Sequence, residues 1–266
     1  MDYVHGYSDR ETARLADQAT TLEELLLSDT RYPPGSCVLE AGCGVGAQTL
    51  ALARRSPGAT ITAVDLSAAS LELARRRVLD AGLTGVVVRQ ADLRQLPCPD
   101  QTFDHVFVCF VLEHVDDAGQ VLRELRRVSR PGGSITVIEG DHGSFLFHPQ
   151  TRASLEAWNC LVQGQAALGG DSLIGRRLFP LLRDAGFRVS TVSPRVLYAD
   201  ARVPELVDAF ARKIITAMVE GIRETALRNG LSDPGRFDEG LADLRRLAGS
   251  PDSTLSYVFF KAVASR

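Results

Sequence analysis

The sequence predicts a doubly wound α/β fold, and three observations carry that expectation. Short, nearly continuous apolar runs alternate with amphipathic stretches from about residue 36 to about residue 142. Strands that read this way are buried on both faces, which requires a parallel sheet covered by helices. The first apolar run ends in the turn Val38-Leu39-Glu40-Ala41-Gly42-Cys43-Gly44-Val45-Gly46, placing repeated glycines where such a sheet meets its ligand. The 266 residues, 45% hydrophobic and 24% charged, bury a full core as one domain with an elaboration.

Each element follows in order. Residues 9–28 place Leu15, Leu22, Leu25 and Leu26 near helical spacing behind Ser8 or Asp9 as cap, which predicts a leading amphipathic helix. Tyr32-Pro33-Pro34-Gly35 breaks the chain. "CVLEA" is then a strand, "AQTLALARRS" a helix, "ATITAVDLS" a second strand, and "AASLELARRRVLDAG" a helix closed by Gly82. "GVVVRQAD" and "FDHVFVCFVLEHV" give the third and fourth strands, "AGQVLRELRRVSRPGG" a helix stopped by Pro131, and "SITVIEGDH" the fifth strand. Right-handed crossovers between parallel strands wind the sheet on both faces.

The second half changes character. Residues 150–168, containing Trp158, and "IGRRLFPLLRDAGF" read as helices, and "RVSTVSPRVLYAD" as a sixth strand. Residues 204–248 are helical, broken at Asn229-Gly230 and Asp233-Pro234, and "TLSYVFFKAVA" is a last strand rich in β-branched and aromatic residues. That helical block is too long for a simple connection and is expected to cap the sheet edge. The expected organisation is a helical lid at 1–30, a core at 31–200, a cap insertion at 201–250 and the final core strand at 251–266.

A net charge of −3 gives no global attraction to nucleic acid or anionic membrane. The arginine clusters at Arg75–Arg77 and at Arg123, Arg126, Arg127 and Arg130 fall on helical stretches and read as solvated faces. Five scattered cysteines without a CxxC pair fit reduced thiols in a cytoplasmic protein, with neither a disulfide framework nor a metal centre. The N-terminus lacks a basic region followed by an apolar one, and no run is long enough to span a bilayer, so no signal peptide and no membrane partner are expected.

The glycine turn does not follow the GxGxxG spacing of a pyrophosphate loop; it reads Glu-x-Gly-x-Gly-x-Gly from Glu40. A carboxylate beside bare backbone suits an ammonium group and repels phosphate. Asp65 ends the second strand, where an acid accepts ribose hydroxyls, and Asp92 follows the third, where its carboxylate or the neighbouring backbone meets an adenine amino group. Each acid also has an ordinary structural reading: Glu40 as a cap or ion pair, Asp65 as a turn residue, Asp92 as a helix cap. Taken jointly at successive strand ends, ammonium, ribose and adenine without phosphate describe S-adenosylmethionine.

These residues carry a resemblance. "VLEAGCGVG", "ITAVDLS", "RQADLRQLPCPDQTFDHVFVCFVLEHV" and "ELRRVSRPGGSITVIEG", covering about residues 36–140, resemble the class I S-adenosylmethionine-dependent methyltransferases, in particular the branch of quinone-biosynthesis and small-molecule enzymes. The resemblance implies a Rossmann-like sheet of seven strands with the last antiparallel. It places Glu40, Gly42 and Gly44 at the methionine end of the cofactor, helped by Gln48 and by Tyr7 from the N-terminal segment. Asp65 is implied at the ribose, Leu66 against adenine, Ala91, Asp92 and Leu93 around the adenine edge, and Phe110 and Val111 beside the transferable methyl. Tyr7 reads equally as an anchor for the leading helix.

Methyl transfer from a sulfonium asks the protein mainly to align donor and acceptor and to exclude water. No conspicuous catalytic group is therefore required, and a leading helix with a helical cap is the expected means of closure. The candidate acceptor-side groups follow the fifth strand: Glu139, Asp141 and His142, with His142 orienting the acceptor or taking its proton near neutral pH. A metal set of Asp141, His142 and His148 has unpersuasive spacing, so no metal is expected. Glu113 and His114, after the fourth strand, are also available at the sheet edge, and His114 reads more simply as loop support.

The Asn/Asp-Pro-Pro-Tyr motif of base methylases is absent where "CFVLEH" stands, which argues against a nucleic-acid acceptor. Arg176, Arg195, Arg212 or Lys213 can hold a substrate carboxylate but read more simply as exposed residues. "YVHGYSDRE", "EGDHGS" and "YVFFKAVA" look like a bacterial secondary-metabolism group, some of whose members methylate an indole carbon. The expected acceptor is thus a small aromatic molecule. Transfer to oxygen or nitrogen of another metabolite, a non-catalytic cofactor-binding subunit, and an NAD-dependent oxidoreductase are the alternatives. The leading helix packs on its own domain or on a neighbouring subunit, so a homodimer is also open.

Overall fold

The structure is a computed structural model that describes residues 9–266. Tyr7 lies outside the described residues. The chain runs α1 (Asp9–Leu27), β1 (Cys37–Ala41), α2 (Ala47–Arg55), β2 (Thr60–Asp65), α3 (Ala68–Asp80), β3 (Val86–Gln90) and β4 (Phe103–Cys109). It continues with α4 (Ala118–Val128), β5 (Ser129–His148), α5 (Arg152–Ala167), α6 (Leu178–Asp184) and β6 (Arg188–Asp200). The last part holds α7 (Pro204–Val207), a π-helix (Asp208–Thr216), α8 (Ala217–Gly221), α9 (Arg223–Arg228), α10 (Pro234–Arg246) and β7 (Thr254–Ser265).

The seven strands form one sheet in the order β3-β2-β1-β4-β5-β7-β6, with the end of the sheet antiparallel, as the sequence led us to expect. β1 pairs in parallel with β2 on one side and β4 on the other, setting Glu40 beside Ala63 and Phe107. Successive crossovers diverge at β1, so its carboxyl end opens at the point where strand order reverses.

Several boundaries differ from the sequence reading; the strand expected over 103–115 ends at Cys109, and Leu112–His114 form a 3₁₀ turn. The helix expected over 118–133 ends at Val128, and β5 begins at Ser129. Pro131 forces Arg130 into extended geometry, and Gly133 packs so closely that an added Cβ would lie 2.6 Å from the Asp104 carbonyl oxygen. β5 also continues past "SITVIEGDH" to His148. There Phe145 and Phe147 are buried while Leu146 is 65% exposed, a period-two pattern that marks a strand.

The chain divides into two compact units. One comprises Glu23–Gly140, Ile174–Arg195 and Phe260–Arg266. Its core gathers Leu39, Val106, Val108, Leu122, Leu125, Val137, Leu178 and Leu182, each completely buried. Burial of a side chain of this size stabilises by roughly 1.5–3 kcal/mol. Lys261, 3% exposed, holds the chain after α1 in this unit: its ammonium donates to the Leu26 carbonyl (3.1 Å), Asp29 (2.5 Å) and Thr30 Oγ1 (2.6 Å). Arg195 joins the same Asp29 carboxylate, so it is engaged structurally.

The other unit contains the described residues through Leu22 together with Asp141–Leu173 and Val196–Phe259. Its core is aromatic. Phe145 stacks on Phe147 (centroids 4.8 Å apart) and lies 4.8 Å from Trp158; Tyr257 lies 4.6 Å from Phe259 and 5.7 Å from Phe210. Such pairs add about 0.5–1.5 kcal/mol each beyond their buried area. α10 approaches α5 so closely that a Cβ on Gly240 would collide with the Ala153 carbonyl. Here Arg212 pairs with Asp208 (2.5 Å) and Lys213 with Asp17 (3.6 Å).

Candidate functional site

The three glycines after β1 separate into different tasks. Gly42, Gly44 and Gly46 have φ of 76°, 51° and 76°, a left-handed backbone that side chains disfavour. A Cβ on Gly42 would fall 2.4 Å from Val111 Cγ2, so this residue is bare to let the turn after β4 lie on it. A Cβ on Gly46 would stand 3.1 Å from Ala74 Cα in α3, so this one serves helix packing. Nothing stands within 4 Å of a Cβ at Gly44. Only Gly44 leaves backbone bare toward open space.

Beside it, Glu40 is 2% exposed, and its Oε2 has no hydrogen-bond partner among the described residues. Burial raises its carboxyl to about 8; Thr49 lies near enough to ease that shift without closing a hydrogen bond, and the Asp65 charge adds to it. Gln48 Oε1 and Thr49 Oγ1, in the first turn of α2, are likewise buried and unpartnered among the described residues. An unsatisfied buried polar atom costs about 1–3 kcal/mol, so three together point to a ligand. Carboxylate, amide oxygen and hydroxyl all accept hydrogen bonds, and an ammonium group supplies the missing donors.

Asp65 spans the mouth of the turn. Its Oδ2 accepts from the Gly44 N–H (2.8 Å) and its Oδ1 from the Ser67 N–H (2.9 Å). Each oxygen retains acceptor capacity for a hydroxyl. Ser67 in turn caps α3 by accepting from the Ser70 N–H. Leu66 is 52% exposed, an uncovered apolar surface next to the acid.

The Ala91 N–H donates to the Asp65 carbonyl (3.0 Å), which brings the third strand end to the second. Asp92 is committed differently: Arg94 grips both its oxygens (3.0 and 2.7 Å), which holds its carboxyl below the usual carboxylate range. The backbone around Ala91 and Leu93, rather than a free Asp92 carboxylate, is what this edge offers.

Phe110 closes β4 with φ of 58°, a left-handed conformation that costs a side-chain-bearing residue roughly 1–2 kcal/mol. Such strain concentrates at ligand sites. Val111 follows it onto Gly42. The turn is held by Glu139, 0% exposed, whose Oε1 accepts from the N–H groups of Val111 (3.0 Å) and Leu112 (2.7 Å). Thus Glu40, Gly42, Gly44, Asp65, Ala91, Phe110 and Val111 are joined by backbone bonds and contacts within one unit.

Asp141 and His142 belong to the other unit. Asp141 Oδ1 accepts from the Gly143 N–H (3.0 Å). His142, 4% exposed, has Nδ1 2.7 Å from Tyr257 Oη, its carbonyl accepts the Trp158 indole N–H (3.0 Å), and its own N–H donates to Ser172. Among the described residues no group of three or more His, Cys, Asp or Glu is placed to hold a metal ion.

Two further residues belong to this site. Tyr32 stands in a stretch whose prolines and glycine mark only a chain break, yet it is 4% exposed, stacks on His105 at 4.8 Å, and is held above its usual range by burial together with the negative charge of Glu40. Thr49 lay unremarked inside a helix; a hydroxyl at the third position of a helix following a glycine turn was the available signal.

A family model described as a methyltransferase domain matches residues 39–137. A 27-O-demethylrifamycin SV methyltransferase of Amycolatopsis mediterranei is 30% identical over 261 residues, which covers 97% of this chain and 88% of that protein. An uncharacterized 37.1 kDa protein in transposon TN4556 of Streptomyces fradiae is 34% identical over 208 residues, 77% of this chain and 59% of that one. The chain spans 59% of the transposon protein's length and 45–47% of the length of curated relatives such as the methyltransferase GfsG of Streptomyces halstedii and demethylmenaquinone methyltransferases of Listeria species. Among solved structures, the cyclase SpnF superposes with a TM-score of 0.57 at 21% identity, covering 94% of this chain and 81% of that chain. That likeness concerns the fold alone, and one fold hosts many activities.

Proposed function

Because the chain belongs to the class I S-adenosylmethionine-dependent methyltransferases, we propose that it methylates a small aromatic natural product, releasing S-adenosylhomocysteine. The observation that carries the cofactor placement is the buried Glu40 Oε2, unpartnered among the described residues beside the open face of Gly44. Glu40, with Gln48 and Thr49, receives the amino-acid head group. Asp65, already aimed by two backbone N–H groups, accepts the ribose hydroxyls. Leu66 packs on adenine, Ala91, Asp92 and Leu93 border it, and Phe110 and Val111 flank the sulfonium end. When bound, the cofactor supplies a methyl group that is electrophilic without further activation. The protein's share is alignment and exclusion of water.

On the acceptor side, His142 orients the nucleophile or takes its proton, with Asp141 shaping the loop that follows. An aromatic carbon such as that of an indole is nucleophilic without full deprotonation, which suits a single modest base. A second reading, transfer to oxygen, is favoured by one specific relation: a relative that matches nearly the whole chain is named for methylating 27-O-demethylrifamycin SV.

Labelled S-adenosylmethionine presented with a panel of indoles, phenols and hydroxylated macrocycles tests both. Label on a ring carbon supports the first reading and label on oxygen the second. Tight S-adenosylhomocysteine binding with no transfer to any acceptor indicates a binding subunit. Protection from thermal unfolding by a nicotinamide dinucleotide alone contradicts the cofactor assignment.

A further inference from the structure

Glu139 is the most withdrawn carboxylate among the described residues, and nothing in methyl transfer explains why a strand interior keeps it. It follows Ile138, which pairs with Cys109 at the end of β4. The Phe110 N–H donates to the Ile138 carbonyl (2.9 Å), and the next two N–H groups, of Val111 and Leu112, both donate to Glu139 Oε1. One side-chain oxygen thus replaces the strand that would otherwise satisfy the turn. The same turn carries the left-handed Phe110 and lays Val111 against Gly42.

We infer that Glu139 is a positioning residue of the cofactor site: by holding the Val111 and Leu112 N–H groups it fixes Phe110 and seats Val111 on the glycine turn, and it does not act on the acceptor. The inference rests on the cofactor reading of that turn. Burial, and then the neighbouring Glu113 carboxylate, keep Glu139 well above the usual carboxylate range against the pull of the turn's N–H groups. A neutral carboxyl still offers Oε1 as an acceptor, and a glutamine side chain offers the same oxygen. This separates positioning from proton transfer, which a glutamine cannot perform.

The full-length wild type, Glu139→Gln and Glu139→Ala are compared in three measurements: amide hydrogen exchange without ligand, calorimetric S-adenosylhomocysteine affinity, and kcat with the KM for S-adenosylmethionine. Glu139→Gln is expected to keep the Val111 and Leu112 amides protected, to bind within about threefold of wild type and to turn over. Glu139→Ala is expected to expose those amides to exchange, with cofactor affinity lower by on the order of 10- to 100-fold and KM raised in parallel. Wild-type affinity in a folded Glu139→Ala, even with a lowered Tm, overturns the inference. Loss of turnover in Glu139→Gln with normal affinity also overturns it, by making the carboxyl a proton-transfer group. If the alanine variant does not fold, the glutamine variant decides alone. Wild type that fails to bind S-adenosylhomocysteine overturns the cofactor reading instead, and the exchange measurement then still judges the clamp.

Discussion

Tyr257 Oη lies 2.7 Å from His142 Nδ1, in a setting where the Trp158 ring stands 5.4 Å from the imidazole. A partner on Nδ1 sets the ring's orientation and the proton state of Nε2, which decides whether His142 acts as a base. Tyr257→Phe is expected to lower kcat by about tenfold or more and to displace the pH-rate profile, with S-adenosylhomocysteine affinity unchanged. His142→Ala should lower turnover further with the same unchanged affinity. Steady-state kinetics across pH check both, and wild-type turnover in His142→Ala removes it from the mechanism.

Glu40 makes the stability of the ligand-free protein depend on pH. Its folded value of about 8 stands above the unfolded 4.5, so between those limits the folded chain holds a proton that the unfolded chain has lost. Unfolding then releases a proton, and stability from this group is fully present below 4.5 and declines as pH rises to about 8. Asp65 is the charged neighbour that acts on it; Tyr32, Cys43 and Cys109, whose own values the Glu40 charge helps to raise, stay neutral across this range. Glu40→Gln is expected to flatten the fall of Tm across that range. An unchanged slope in thermal scans contradicts the assignment.

Gly44 and Gly46 are predicted to fail differently when substituted. Gly46→Ala combines φ of 76° with a Cβ 3.1 Å from Ala74 Cα, so it is expected to lose roughly 2–4 kcal/mol of stability. Gly44→Ala meets no protein atom within 4 Å, so its cost is about 1–2 kcal/mol of backbone strain. Cofactor affinity should nevertheless fall in Gly44→Ala, since the added methyl occupies the open face. Urea unfolding and calorimetry on the two variants show whether stability and binding separate in this way.

Asp65→Ala is expected to weaken S-adenosylhomocysteine binding by about 1–3 kcal/mol, the scale of lost hydrogen bonds to a charged group. The Gly44 N–H also loses its acceptor in this variant, so part of the effect reaches the turn itself. Calorimetric titration checks it, and unchanged affinity refutes a ribose role for this carboxylate.

Much of this was legible before any coordinates. The alternation of apolar and amphipathic stretches pointed to the doubly wound sheet, because strands covered on both faces keep few polar positions, and Glu40, the glycines and Asp65 sit at strand ends that such a sheet must bring together. The different tasks of Gly42 and Gly46 were not legible. Their neighbours Val111 and Ala74 are remote in sequence, and only folding shows which glycine faces a side chain and which faces space. Glu139 was read as an acceptor-side group because it precedes Asp141 and His142 in the chain; its bonds to Val111 and Leu112 depend on strand register, which sequence pattern does not give. For Asp92 the sequence leaves open whether the carboxylate or the neighbouring backbone meets adenine, because it does not show that Arg94, two residues on, takes both carboxylate oxygens. The Tyr257–His142 contact joins residues 115 positions apart and leaves no local trace.

The central claim is that the buried Glu40 carboxyl receives the amino-acid head of an adenosyl sulfonium cofactor. Titration of S-adenosylhomocysteine into the wild type at pH 7, repeated in two buffers of different ionisation enthalpy, measures it most directly. The predicted result is binding with net proton release, as the ligand's ammonium group draws Glu40 into its charged form, and no release in Glu40→Gln. Binding without proton release in the wild type, or no binding at all, contradicts it.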